Sequence, residues 1–216
     1  GCKAIGENVP AYSYRPEKEV PVPARMASLL PSVRIIWILR NPVDRAYSHY
    51  WFNVFLGNEQ RSFESALAHH QEYGVESQHD YRGRGVYVEQ IKLYLRYFPG
   101  EQMHIMLLDD LKSDPQGALN RVFSFLGIRP LPVLQHGQAR KNETYRPRSV
   151  WLQYLLRKVI FHRNEKLFYR LGRAVSHRKA GYPPMNQTLR EELAQFYMPH
   201  NASLAELTRL DLSHWD

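Results

Sequence analysis

Residues Val33 to Tyr50 read VRIIWILRNPVDRAYSHY, an apolar run that ends in an arginine and passes directly into a helix start. Val33, Ile35, Ile36, Trp37, Ile38 and Leu39, interrupted only by Arg34, have the length and the β-branched, aromatic character of a strand buried on both faces. Asn41 is placed to cap the helix that follows, Pro42 to take its first position and Asp44 to sit in its first turn. A strand feeding a helix in this way leaves backbone N–H groups and the positive helix end at the carboxyl edge of a sheet. Nucleotide phosphates bind at that edge in open α/β folds. Arg40 stands there. At helical spacing Asn41, Arg45 and Ser48 share one face, while Val43, Tyr47, Tyr50, Trp51 and Val54 form an apolar stripe. The pattern assigns to one phosphate a bidentate charge from Arg40 and a hydroxyl from Ser48.

Outward from this stretch the chain continues to alternate. Ala24 to Leu30 reads as a short helix, after a Pro-rich connection through Pro10, Pro16, Pro21 and Pro23 that disfavours regular structure. Lys3 to Ile5 has the makings of a short strand. Ser62 caps a helix expected from Phe63 to about Glu72, and the polar, glycine-bearing segment Gln78 to Gly85 predicts a mobile surface loop. Val86, Ile91, Leu93, Tyr94, Leu95 and Phe98 mark an amphipathic helix stopped by Pro99-Gly100. Met103 to Leu108 is a second strand-length apolar run, and a helix–strand pairing of this kind suggests a parallel βα unit. Asp114-Pro115 starts a helix that Gly127 closes, and the tail from Val150 is helical in pattern, broken by Gly172 and by Gly181-Tyr-Pro-Pro. With no repeat or break in composition, 216 residues predict one domain, residues 1–216: an α/β domain with a central parallel sheet flanked by helices.

A formal net charge of +8 and a pI near 9.6 favour an anionic partner. The basic residues are scattered and accompany no nucleic-acid module, which argues against a nucleic-acid-binding protein. Cys2 is the single cysteine, so an intrachain disulfide and a Cys-type zinc cluster are excluded, and a reducing compartment, the cytoplasm, is expected. The ten histidines form no HExxH pattern, so no metal site is expected, and no GxSxG elbow is present. No apolar run approaches the roughly 20 residues needed to span a bilayer. Asn142, Asn186 and Asn201 open glycosylation-type triplets, a pattern short enough to recur by chance. Gly1-Cys2 lacks a methionine and opens no myristoylation motif, which points to a fragment or processed product.

The segment LRNPVDRAYSHY resembles the 3′-phosphate-binding element of sulfotransferases that use 3′-phosphoadenosine-5′-phosphosulfate (PAPS), in wording closest to the bacterial and heparan-sulfate-type branches. The YFPGEQMHIMLLDDLKSDP stretch and the ending YMPHNASLAELTRLDLSHW are similar to the scaffold of the same family. That resemblance implies a P-loop-NTPase-like sulfotransferase fold. It implies PAPS as co-substrate, with Arg40 and Ser48 holding its 3′-phosphate and a hydroxyl or amine of a carbohydrate or small metabolite as acceptor. Ile5-Gly-Glu-Asn-Val-Pro-Ala-Tyr resembles the family segment in which a glutamate is the general base, which maps onto Glu7. Relatives often carry Lys and then Ser or Thr where this chain has Asn8 and Val9. The absence of cysteine pairs also departs from Golgi relatives, which commonly carry a disulfide.

Sulfuryl transfer needs a base for the acceptor proton and donors for the charge that builds on sulfate oxygens and leaving phosphate. Besides Glu7, His49 follows Ser48 and is the second candidate to face the acceptor. His177-Arg-Lys-Ala-Gly-Tyr-Pro-Pro resembles the late basic loop that closes over the cofactor, which makes Arg178 and Lys179 candidates. Arg146 and Arg148 of NETYRPR are candidates for an acidic acceptor or the cofactor. The phosphate-cradling loop that holds the 5′-phosphosulfate in these enzymes is not found, nor is any GxxxxGK[ST]. Either that loop precedes Gly1, or the protein is a non-catalytic relative that binds 3′-phosphonucleotides without gripping the reacting end.

Overall fold

Two short strands run parallel, and the first of them leads directly into Arg40. The computed structural model describes residues 5–8, 10–13, 20–68, 79–130, 145–147, 149–160, 177–179 and 181–215. In chain order its elements are α1 (Val22–Leu29), β1 (Ile35–Leu39), α2 (Pro42–Phe55), α3 (Phe63–Ala68), α4 (Tyr87–Leu95) and β2 (Met103–Leu107). They continue with α5 (Leu108–Ser113), α6 (Pro115–Leu126), β3 (Tyr145–Pro147), α7 (Val150–Leu155), β4 (His177–Lys179) and α8 (Gln187–Thr208). The chain forms two compact units, one from Gly1–Asn41, Val86–Gln138 and Met198–Asp216, the other from Pro42–Gly85 and Ala139–Tyr197.

In the first unit β1 pairs with β2 in parallel register, Ile35 opposite Met103 through Leu39 opposite Leu107. Side chains of a strand alternate between faces. Trp37 and Leu39 therefore enter one core together with Tyr87, Val88, Ile91 and Tyr94 of α4, Phe98, Leu107, Leu204, Leu212 and Trp215. Each such side chain contributes about 1.5–3 kcal/mol of burial. The other face departs from the expectation of a strand buried on both sides: Ile36 is 38% and Ile38 52% exposed. A continuous apolar run signals that both faces suit burial, but the cover on this face lies over β2, where Met106 is buried and His104 stacks on Phe125 of α6 at 5.3 Å, and it reaches β1 only in part. At the entrance to β1 the Gln102 carboxamide donates to the Pro31 and Val33 carbonyls, both at 2.9 Å. Asp114 caps α6 by accepting from the Gly117 N–H at 2.9 Å, and Gly127 closes it at φ 66, a left-handed geometry that glycine adopts without strain.

In the second unit α2 buries Val43, Tyr50, Trp51 and Val54 of the stripe read from helical spacing, while Tyr47 is half-buried and Ala46, which the stripe did not include, is buried. Phe63, Ala66 and Leu67 of α3 are buried in the same unit. The Ser62 hydroxyl accepts from the Ser65 N–H at 3.2 Å, as a cap should. The expected extension of α3 to Glu72 lies outside the described residues beyond Ala68. A correction falls on the segment before α4. It is no surface loop over its described part, since Tyr81 is fully buried, Asp80 and Gly85 are buried, and the Tyr197 hydroxyl donates to the Arg82 carbonyl at 2.8 Å. Gly85 is required by that closeness, because a Cβ there would lie 2.7 Å from the Tyr197 hydroxyl. A polar composition suggested solvent, whereas its polar groups are consumed internally.

The tail also departs from a purely helical reading. α7 is capped by Ser149, passes into a π-helical turn at Leu156–Ile160, and β4 then pairs antiparallel with β3. In α8, Leu189, Leu193 and Tyr197 are buried before Pro199, and Leu204 after it.

Candidate functional site

In the first unit the chain leaves β1 through Arg40 and Asn41, and both are tied down. The Tyr87 hydroxyl of α4 donates to the Arg40 carbonyl at 3.0 Å, and the Asn41 carboxamide donates to the Trp215 carbonyl at 3.0 Å. The Tyr87 and Trp215 rings are themselves neighbours, 6.2 Å between centroids at 56°. Arg40 is half-buried.

Glu7 is exposed, and the Tyr12 hydroxyl donates to its carboxylate at 3.3 Å. The Tyr12 carbonyl in turn accepts from the Tyr94 hydroxyl at 2.9 Å, and the Tyr94 ring meets Trp37 of β1 edge-on at 5.2 Å. Burial, with Tyr12 beside it, pushes the Tyr94 hydroxyl up to about 12, so it stays a neutral donor at all ordinary pH. Three contacts thus connect the candidate base to the strand that ends in Arg40. They give a physical sense to the Glu-x-x-Pro-x-Tyr spacing of the sequence: the tyrosine of that segment holds its glutamate.

In the second unit, α2 carries half-buried Ser48 and His49. His49 lies in a buried polar network. Asn53, one turn on, approaches its Nε2 at 3.4 Å and donates to the Tyr81 hydroxyl at 3.2 Å, which donates to Glu59 at 3.1 Å. Glu59, 2% exposed, also accepts from the Arg61 side chain at 2.9 and 2.7 Å and from the Gln60 and Arg61 backbone. Burial pulls the Glu59 carboxyl upward, but the Arg61 bonds and the Tyr81 hydroxyl outweigh it and the net shift is down, so the carboxylate remains charged and paired. The Arg45 guanidinium donates to the Tyr81 carbonyl, and Asp44 pairs with Arg190.

Burial first, then the charges of Arg45, Arg84 and His79, lower the His49 imidazole from 6.5 to about 3. It is therefore neutral at physiological pH and a weak base. Between about pH 6.5 and 3 the unfolded chain binds a proton at this site that the folded chain refuses, so the contribution is fully present above 6.5 and lost as the pH falls toward 3. The loss amounts to at most about 1.4 kcal/mol per pH unit. Denaturant unfolding at pH 7.5, 5.5 and 4.5 checks this: His49→Gln is expected to lose less stability on acidification than wild type, and equal losses would show that His49 is free to protonate.

The basic residues of the tail meet in backbone register. β3 and β4 set Arg146 opposite Arg178 and Tyr145 opposite Lys179. The sequence nominated these arginines separately, from two segments about 30 residues apart. Arg148 lies outside the described residues. Like charges directly opposite on a ribbon disfavour pairing unless an anion or acid offsets them. Among the described residues no group of three or more His, Cys, Asp or Glu side chains is arranged to hold a metal ion, and no helix is long and apolar enough to cross a membrane.

A parallel βα unit ending in a half-buried arginine defines an α/β protein with the sheet-edge geometry used for phosphates. Residues 19–203 match the sulfotransferase domain family, and the chain belongs to that family. It is 30% identical over 198 residues to the human bifunctional heparan sulfate N-deacetylase/N-sulfotransferase 3, covering 86% of this chain and 20% of that protein. It is 26% identical over 211 residues to human heparan sulfate glucosamine 3-O-sulfotransferase 3B1, covering 97% and 49%. The crystal structure of a sulfotransferase from Alicyclobacillus acidocaldarius superposes with a TM-score of 0.67 at 27% identity, over 95% of this chain and 64% of that one. The chain thus spans half or less of the length of these two curated relatives.

Proposed function

We propose that this chain is part of a PAPS-dependent sulfotransferase that moves a sulfuryl group to a hydroxyl or amine of a carbohydrate or small-metabolite acceptor. The observation that carries the reading is the family match over residues 19–203, which runs through segments of both compact units and supports a single sulfotransferase domain. The heparan sulfate enzymes among its relatives favour a carbohydrate acceptor. Arg40 and Ser48, eight positions apart on one continuous segment, hold the 3′-phosphate. Arg178 and Lys179 close on the cofactor, with Arg146 beside them in register. Glu7 takes the acceptor proton, the acceptor oxygen or nitrogen forms its bond to sulfur, and the bond from sulfur to the 5′-phosphate oxygen breaks to release 3′-phosphoadenosine-5′-phosphate. His49 is the second candidate base. The single cysteine supports a reducing compartment, the cytoplasm.

Two measurements test the reading. Calorimetry should find 3′-phosphoadenosine-5′-phosphate bound in preference to adenosine 5′-monophosphate, and equal affinities would remove the 3′-phosphate assignment. Transfer of radiolabelled sulfate from PAPS to desulfated heparan sulfate, with and without the sequence encoded upstream of Gly1, separates the enzyme from its rival. Binding with no transfer at either length would support a non-catalytic 3′-phosphonucleotide-binding protein.

A further inference from the structure

The end of β1 is held from two remote parts of the chain, and both bonds act on the backbone or side chain that orients Arg40. We propose that Tyr87 and Trp215 are positioning residues for Arg40 and thereby set the selectivity for a 3′-phosphorylated nucleotide, an inference that rests on the reading of Arg40 as the 3′-phosphate ligand. In a trans peptide the carbonyl and the following N–H point in opposite directions, so a bond to one fixes both. The Tyr87 hydroxyl, on a ring only 8% exposed, donates to the Arg40 carbonyl and fixes the peptide between Arg40 and Asn41. The next residue is fixed through its side chain, because the Asn41 carboxamide donates to the carbonyl of Trp215, whose ring is 2% exposed. With β1 held by its ladder to β2 up to Leu39, the Arg40 backbone is restrained on both sides. Its Cα–Cβ direction is therefore set before any ligand arrives. Preorganisation of this kind lowers the ordering cost of binding and shows as selectivity.

The Tyr87 and Trp215 rings also touch, so the two restraints share one support. Trp215 is itself seated by its N–H bond to the Leu212 carbonyl at 2.9 Å, which closes the last short helical turn, Ser213–Trp215. A side chain that merely filled the core would not need its hydroxyl directed at the single carbonyl that follows the strand.

The test is the ratio of the affinities for 3′-phosphoadenosine-5′-phosphate and adenosine 5′-monophosphate, measured by calorimetry on the full chain beside its melting temperature. Tyr87→Phe keeps the ring and removes one hydroxyl, and is expected to lower the ratio about 3- to 10-fold, the usual worth of one such bond, with little effect on the monophosphate. Trp215→Ala keeps the accepting backbone carbonyl but removes the buried ring that seats it and should lower the ratio further, and Trp215→Phe, which keeps a ring, should restore most of it. Gln102→Ala is the control: it frees the opposite end of β1 and should lower the melting temperature without moving the ratio. If Tyr87→Phe leaves the ratio unchanged while Arg40→Ala abolishes it, the positioning inference is wrong and the site assignment stands. If Arg40→Ala itself leaves the ratio intact, the assignment fails first. A fall in the ratio with Gln102→Ala as large as with Tyr87→Phe would reduce Tyr87 to an ordinary stabilising contact.

Discussion

Glu7→Gln is expected to lower turnover by about 10²–10⁴-fold, the usual contribution of a positioned base, while the affinity for nucleotide stays within about twofold of wild type. The substitution is close to isosteric. Glutamine retains a side-chain oxygen that accepts from the Tyr12 hydroxyl, so the anchor through Tyr94 to Trp37 survives and the loss reports basicity alone. The measurement is a single-turnover transfer rate in the length of the protein that transfers sulfate, beside calorimetry with 3′-phosphoadenosine-5′-phosphate. Full activity in the variant would remove Glu7 from the reaction and make His49 the next residue to replace. The low proton affinity of His49 predicts that it would then serve as a weak base.

The second large effect belongs to Arg40. Replacement by alanine should cost about 1.5–3 kcal/mol of affinity for the 3′-phosphorylated nucleotide, the worth of charge-assisted hydrogen bonds. Adenosine 5′-monophosphate should bind the variant and the wild type alike. The loss is specific because the variant keeps the Arg40 carbonyl, and with it the bond from Tyr87. An unchanged affinity would place the 3′-phosphate elsewhere on the protein.

Much of this architecture was legible because local signals and tertiary outcome agree. The strand ending at Leu39, the proline-started helix from Pro42, the Asp114 cap and the Gly127 closure are each encoded within a few residues and each is found. Periodicity also gave the buried stripe of α2. It failed where burial is decided from a distance. Ile36 and Ile38 look no different in sequence from Trp37 and Leu39, yet they are exposed. Asp80 and Tyr81 have the composition of a loop, yet Tyr81 is buried because Glu59, Asn53 and Arg45 satisfy its hydroxyl and its carbonyl.

The candidate site divides along the same line. Arg40, Ser48 and Glu7 are nominated by motif, but the groups that hold Arg40 and Glu7 carry no local mark. Tyr12 is the exception in part, since it belongs to the Glu7 segment. Tyr87 and Trp215 are ordinary aromatic positions of a helix and a tail until the bonds to Arg40 and Asn41 are seen. The Arg146–Arg178 pairing likewise joins two basic segments that a linear reading could only nominate one at a time.

The bond from Asn41 to Trp215 joins residues 174 positions apart, which has a consequence for how the protein is made. At synthesis rates of about 5–20 residues per second, roughly 9–35 s separate the appearance of the arginine from that of its last support. Contacts of such long range are also slow to form, because the loop they close must be ordered before they contribute. On the ribosome, then, the α2 helix can form early from local information and β1 can pair once β2 has been made, while the turn after β1 waits longer. On the proposed role of Arg40, competence to distinguish one nucleotide from another waits for the synthesis of Trp215.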